Sequence, residues 1–151
     1  MKYRLGILVL ALCATACKAE YRDLSADQKY QQLIGQTVRL QDEFIVHAVT
    51  LPGSPIHTID QYNITPKPGF GGRYVPFRKP LPAGTQLHIL KVEECTNCLA
   101  FNDLRFLVQP PESQYSDHDI YLDADFGDEH LVVEEGGRAV FRSRLIEVLA
   151  K

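Results

Sequence analysis

The sequence predicts a mainly β protein, either a small antiparallel barrel or a sandwich, with one short N-terminal helix. Short stretches of β-branched and apolar residues alternate with polar ones from Gln36 onward. Glycine- and proline-rich turn signals separate these stretches at short spacing, as is typical of small barrels and sandwiches. The 135 residues that follow residue 16 suit one domain with a sizeable core. The sequence contains no internal repeat, and no second domain is predicted.

The N-terminus has the three parts of a secretion signal. Residues 1–4 are basic, and residues 5–16 form an apolar run without charge. That run is shorter than the roughly 20 residues needed by a membrane-spanning helix. We therefore predict a signal peptide over residues 1–16, cleaved just before Cys17.

Two processing routes share this cleavage site. Ala14 and Ala16 give the small-x-small pattern of an ordinary signal-peptidase site. The same residues followed by Cys17 resemble a degenerate bacterial lipobox, in which the cysteine carries lipid and anchors the protein to the membrane. Lys18, where Asp would favour retention in the inner membrane, indicates an outer-membrane lipoprotein facing the periplasm. A soluble periplasmic or secreted protein is the alternative.

A brief tether and a short helix are predicted next. Residues 17–24 form the tether, and residues 25–151 form the single β-rich domain. Ser25 and Gln28 have the spacing of a capping box, which predicts a short helix ending near Ile34.

The remaining chain is predicted as strands. These are expected near residues 38–40 and at 44–51, 56–64, 85–92, 99–108, 119–122 and 131–133. Leu87, Ile89 and Val92 are expected to face inward, with a bulge before Val92. Residues 138–149 fit either a strand or a helix.

One stretch resembles bacterial SH3-like barrels. Leu81-Pro-Ala-Gly84 forms a proline–glycine turn, and the alternating strand with Leu87 and Ile89 follows it. The resemblance covers residues 81–92, and the family's later Trp is missing because this chain has no Trp. The resemblance implies a small barrel rather than a sandwich, and a binding module as often as an enzyme.

The cysteines fit an exported protein. Cys13 leaves with the signal, and Cys17 is consumed if it carries lipid. Cys95 and Cys98 are then expected to form a local disulfide in the oxidising envelope. Strand-like flanks disfavour a redox site at a helix N-terminus, Leu99 excludes a c-type haem motif, and zinc would require two further ligands.

A basic aromatic segment is the candidate binding surface. Residues 65–84 hold five prolines and four glycines, and all of their charges are positive. Arginine and aromatic side chains on a stiff backbone lose little entropy when they bind a partner. The segment either binds an anionic envelope ligand or acidic protein, or packs against the chain's own acidic segment. The candidate residues are Lys67, Phe70, Arg73, Tyr74, Phe77, Arg78 and Lys79.

The acidic segment spans residues 112–135, with nine carboxylates and no Lys or Arg. The Asp123-x-Asp125-x-Gly127 pattern lacks the further ligands of an EF-hand, so a solvated acidic face is favoured over a calcium site. Removing Lys2 and Arg4 with the signal takes the formal net charge from −3 to −5. This acidity disfavours nucleic-acid binding.

No catalytic motif is present, and the five histidines form no His-Glu-x-x-His pattern. We predict no catalytic residue, no cofactor and no metal ligand. The predicted function is a non-catalytic binding or accessory module of the envelope. The alternative is an immunity-type inhibitor lipoprotein whose acidic segment neutralises a secreted toxin.

Overall fold

The computed structural model describes residues 19–98, 104–142 and 144–150. The signal, its cleavage site and Cys17 lie outside these residues. The described strands are β1 (Tyr21–Asp23), β2 (Thr37–Leu40), β3 (Phe44–Val49), β4 (Gln61–Pro66), β5 (Arg78–Leu81), β6 (Gln86–Cys95), β7 (Leu104–Val108), β8 (Ile120–Asp123), β9 (Asp125–Phe126), β10 (Glu129–His130), β11 (Val132–Glu135), β12 (Arg138–Phe141) and β13 (Ile146–Ala150).

One curled sheet forms a half-barrel, which confirms the predicted mainly β class. Its strands follow the order β13-β2-β6-β7-β8-β4-β3-β5, and β1 adds to β6 beside β2. The pairings are antiparallel apart from β4 with β8, which run parallel. The small hairpins β9–β10 and β11–β12 lie outside this sheet.

One face of the sheet is the hydrophobic core, and we call it the apolar face. Strand alternation brings Val46, Ile64, Phe106 and Leu122 to this face, and each is fully buried. β6 contributes Leu87, Ile89 and Val92 as predicted, and a register shift after Ile89 restores the inward direction of Val92.

The predicted N-terminal α-helix is absent, and turns with a 3-10 helix at Gln31–Leu33 replace it. The physical reason is the partner of Ser25. Its hydroxyl oxygen accepts the Val92 amide of β6 at 3.1 Å instead of capping a helix. Leu33 nevertheless packs into the core.

Other boundaries differ locally from the predicted ones. Within residues 138–149, Arg138–Phe141 form β12 and residues 146–149 belong to β13, so strand rather than helix is correct for these parts. The strand predicted from Ile56 begins only at Gln61, and residues 50–60 form a loop. His57 in this loop has a φ of 75°, which is incompatible with a strand.

Candidate binding surface

The second face of the sheet, called the polar face below, carries a buried row of polar side chains. Strand register places Glu93 opposite Arg105, and Arg105 opposite Asp123. Asn63 on β4 lies opposite His47 on β3 in the same way. All five side chains are buried. Buried polar groups must find partners within the protein, so each contact in this row bears on stability.

Arg105 is held by three side chains: Glu93, Tyr21 and Tyr121. Its Nε and Nη2 donate to Glu93 Oε2 at 2.9 and 2.7 Å. Its guanidinium carbon lies 3.3 Å from the ring centroid of Tyr21 and 3.7 Å from that of Tyr121. Burial acts to raise the pKa of Glu93, but hydrogen bonds from Lys91 and Arg105 outweigh it and lower the pKa. Charge, hydrogen bonds and cation–π contacts therefore hold one arginine in place.

Asp123 is the most deeply buried carboxylate of the row. Asn63 Nδ2 donates to both of its oxygens at 3.0 Å. Gln61 Nε2 donates to Asn63 Oδ1 at 2.6 Å and so fixes the orientation of that amide. Burial raises the pKa of Asp123 to about 7, against the opposing effects of the Asn63 hydrogen bond and the Arg105 charge.

His47 ends the row and supports the segment that covers it. Its Nε2 lies 3.0 Å from Thr65 Oγ1, and the Phe70 ring stacks on the imidazole with centroids 4.0 Å apart. Burial and, to a smaller extent, the nearby Arg78 charge lower the pKa of His47 to about 4. A Cβ on Gly69 would lie 2.7 Å from His47 Nε2, so this close approach requires glycine.

The covering segment, residues 67–79, is called the strap, and its last two residues begin β5. It crosses the polar face at Phe70 and then runs beside the end of β3. The Ala48 amide donates to the Phe77 carbonyl at 3.0 Å, and the Thr50 amide donates to the Tyr74 carbonyl at 2.9 Å. After Phe77 the chain continues directly into β5, which pairs with β3. The strap is therefore fixed to the sheet by backbone and by side chain.

Three of the seven candidate surface residues are engaged within the protein. Phe70 turns inward onto His47. Lys67 forms an ion pair with Glu43 at 2.9 Å, and Lys79 lies 3.7 Å from Glu112.

The other four, Arg73, Tyr74, Phe77 and Arg78, are exposed, and we call them the Arg–aromatic cluster. Tyr74 is 38% and Phe77 42% exposed. The Arg73 guanidinium carbon lies 4.6 Å from the Tyr74 ring centroid, and its Nη2 donates to the Tyr74 hydroxyl at 2.7 Å. Among the described residues, no carboxylate pairs with Arg73 or Arg78. Both guanidinium groups are thus available to an anionic partner.

The acidic segment differs from the strap because many of its carboxylates are engaged. Asp123 is buried, and Asp125 pairs with His130 at 2.7 Å. Glu134 pairs with Lys29 at 2.7 Å, and Glu129 pairs with Arg144. The strap meets this segment at two places, from Lys79 to Glu112 and from Phe70 to Phe126. Its inner side packs on the acidic segment, while the Arg–aromatic cluster remains outside.

Cys95 and Cys98 form the predicted disulfide, with Cα atoms 5.7 Å apart. The turn that they close binds the start of the described chain. Asn97 Oδ1 accepts the Glu20 amide at 2.8 Å, and the Thr96 amide donates to the Glu20 carbonyl at 2.8 Å. Residues 21–23 of the predicted tether thus form β1, which pairs with the last residues of β6, directly before this turn.

The described ranges contain no group of three or more His, Cys, Asp or Glu residues that could hold a metal ion. Within the same ranges, no helix has the length and apolarity needed to cross a membrane. Comparison with protein-family models, curated proteins and solved structures found no match for this chain.

Arg105, Asp123 and Asn63 are not predicted from the sequence to belong to one buried site. A signal was present, because Arg105 interrupts an apolar stretch at a position that strand alternation turns away from the core. Their assembly depends on the order of β7, β8 and β4 in the sheet, which the sequence pattern does not specify.

Proposed function

We propose that this protein is an exported, lipid-anchored bacterial envelope protein that acts as a non-catalytic binding or accessory module. Its binding surface is the strap, and its partner is anionic. The observation that carries the proposal is the exposed Arg–aromatic cluster on a segment fixed to β3 and His47. Arginine and aromatic residues on a preorganised backbone are the residue types that dominate binding energy at interfaces.

The arrangement of Arg73 supports this proposal. Its guanidinium lies against Tyr74 and leaves donor groups for a carboxylate, sulfate or phosphate. Arginine suits this use because its planar fork presents paired donors to such groups. The alternative, an immunity-type inhibitor acting through the acidic segment, has less support because many of those carboxylates are paired internally.

The binding proposal is tested with a sulfated glycan as an anionic probe. The full chain with Arg73→Glu and Arg78→Glu is compared with wild type on immobilised heparin. We expect wild type to be retained and released by salt, and the double variant to lose retention while keeping its circular dichroism spectrum. Arg138→Glu is the control, because Arg138 is exposed on β12, whose Phe141 packs against Phe106 of the apolar face. Equal retention of wild type and double variant would overturn the proposal.

The anchor is proposed at Cys17, with the domain facing the periplasm from the outer membrane. Labelled palmitate supplied to the producing bacterium should enter wild type and should not enter a Cys17→Ser variant. An unlabelled wild-type protein would show that the chain is released as a soluble protein.

A further inference from the structure

Two adjoining clefts, of about 400 and about 480 Å³, lie at the end of the sheet where β4 and β8 begin. Asp60 directly precedes β4, Asp119 directly precedes β8, and both line both clefts. The parallel pairing of Tyr62 with Ile120 brings these two strand starts side by side. Asp117 lines the larger cleft. We call the two clefts together the acidic groove.

Three carboxylates of the acidic groove keep their negative charge unneutralised. Among the described residues, no Lys or Arg forms an ion pair with Asp60, Asp117 or Asp119. The contacts that they do make are, in order, with the Leu51 amide at 2.7 Å, the His118 ring at 3.4 Å and the Tyr121 hydroxyl at 3.3 Å. Arg105 lines the smaller cleft, but its guanidinium is bound to Glu93 and lies between two rings. The groove is therefore suited to a cationic partner.

The strap adjoins the acidic groove through two consecutive residues after β3. The Thr50 amide donates to the Tyr74 carbonyl of the strap at 2.9 Å. The next amide, that of Leu51, donates to Asp60 of the groove. The Leu51 side chain is 37% exposed between the two. A positive patch, an exposed aliphatic side chain and a negative groove thus form one continuous surface.

A second copy of the chain matches this surface on both sides. A partner that carries one sign of charge would satisfy only half of it. In a dimer with a two-fold axis every contact is made twice, so the strap of each copy can meet the groove of the other. The axis would pass near Leu51, which supplies an apolar centre between charged flanks, as is typical of protein interfaces.

We propose that this surface is a homodimer interface, in which Arg73 and Arg78 of each copy enter the acidic groove of the other. The inference rests on the proposed function, because it uses the same arginines, and it names a second copy as their anionic partner. Each groove is completed by side chains of the partner copy.

The test reverses the charges in the exported chain with Cys17→Ser, so that no lipid drives association. Without further changes this chain should dimerise at low salt in sedimentation velocity experiments, at concentrations between about 1 μM and 1 mM. Arg73→Glu with Arg78→Glu should weaken the dimer at least about tenfold, because the new carboxylates face the groove. Asp117→Lys with Asp119→Lys should weaken it to a similar extent, because the new ammonium groups face the strap.

Mixing the two charge-reversed variants is the most direct measurement. In the mixed dimer the reversed strap of one chain meets the reversed groove of the other, and the two unchanged surfaces also meet. Attraction is thereby restored at both contacts, so we expect a 1:1 dimer on mixing. Two variants with intact circular dichroism spectra that remain monomeric when mixed would overturn the proposal.

Asp128→Lys with Glu135→Lys is the matched control for the groove variant. Both are exposed acidic residues of the two small hairpins, and Asp128 follows the end of β8 opposite to Asp119. This control should dimerise as the parent chain does. Leu51→Ser should weaken the dimer, whereas Val148→Ser, at a site 46% exposed on β13, should not. Equal losses in the controls would contradict the proposed interface.

Heparin separates this inference from the proposed function. Heparin that binds Arg73 and Arg78 should dissociate the dimer, and a dimer that forms beside bound heparin would overturn the inference. A parent chain that is monomeric at every concentration, yet retained on heparin, would reject the second copy as partner and leave the proposed function in place.

Discussion

The two faces of the sheet are buried in different ways. The apolar face is covered by the protein's own hydrophobic side chains, with Phe106 and Leu122 at its centre. The row of charged and polar groups on the polar face is buried because Phe70 of the strap covers His47 and the rings of Tyr21 and Tyr121 cover Arg105. The first face stabilises the fold through apolar area, whereas the second fixes the position of the segment that we propose binds a partner.

This difference explains why a proline- and glycine-rich segment holds a defined position. A loop on a featureless surface would have many conformations of similar energy. The strap instead has one defined position. It is set by the stacking of Phe70 on His47, by the close approach of Gly69 to the same imidazole, and by backbone hydrogen bonds with β3 and the residue after it. The polar face therefore links the fold to the proposed function, and the following predictions test that link.

The largest effect is expected on removing Arg105. Arg105→Ala leaves the buried Glu93 with Lys91 as its remaining charged partner, and it removes the guanidinium group that lies between the rings of Tyr21 and Tyr121. Breaking a buried ion pair costs about 3–5 kcal/mol, so we expect a comparable fall in the free energy of unfolding in urea. Arg105→Met combined with Glu93→Leu should recover most of the loss. A fall of equal size in the double variant would show that the ion pair is not the cause.

The next largest effect is expected at Gly69. Gly69→Ala places a methyl group against His47 and holds a non-glycine residue at a φ of +72°. Gly35→Ala is the matched control, because Gly35 has a φ of +78° and open space around its Cα. Both variants carry the same backbone strain. The additional clash with His47 should therefore lower the free energy of unfolding of Gly69→Ala by about 1–2 kcal/mol more than that of Gly35→Ala. Thermal unfolding of the two variants measures the difference. Equal stabilities would mean that the strap does not pack against His47.

Asp123 and His47 should give opposing pH dependences. The folded pKa of Asp123 is raised to about 7, so its contribution to stability falls as pH rises from about 4 to 7. The folded pKa of His47 is lowered to about 4, so its contribution rises between about pH 4 and 6.5. Each slope is about 1.4 kcal/mol per pH unit, and the two nearly cancel in wild type.

Single substitutions separate the two contributions. Urea unfolding across this pH range should show Asp123→Asn gaining stability relative to wild type as pH rises. His47→Gln should lose stability relative to wild type over the same range. Parallel pH profiles for wild type and both variants would contradict the assignment of these two groups.

The smallest effect on stability is expected in the Arg–aromatic cluster. Arg73 and Arg78 form no ion pair with the described carboxylates, so replacing both with Glu should change the free energy of unfolding by less than about 0.5 kcal/mol per site. Urea midpoints measure this change. A loss of several kcal/mol would mean that the cluster is part of the fold and would weaken its assignment as a free surface.

The sequence was sufficient for the apolar face and insufficient for the polar face. Alternation predicted that Leu87 and Ile89 face inward, because one buried side imposes a period of two, and a predicted bulge added Val92. The parallel pairing of β4 with β8 brings Asn63 to Asp123 across a separation of 60 residues, and no local pattern encodes it. The helix prediction failed for a related reason, since the Ser25 hydroxyl bonds to β6 rather than to its own segment.

The candidate surface was predicted in part by composition. The positive, proline-rich character of residues 65–84 identified the segment, but composition did not reveal that Phe70 turns inward or that Lys67 and Lys79 pair with carboxylates. Which side of the strap is exposed depends on the imidazole of His47 and on the neighbouring end of β3. Both are contacts between residues distant in sequence.

The central claim is that the strap, held in place by His47 and β3, presents Arg73 and Arg78 to an anionic partner. The most direct measurement is the affinity for heparin of the Arg73→Glu, Arg78→Glu variant at several salt concentrations, beside wild type and Arg138→Glu. We predict salt-sensitive binding by wild type and by the control, and no measurable binding by the double variant, whose folding is intact. Equal affinity and equal salt dependence in all three proteins would contradict the account.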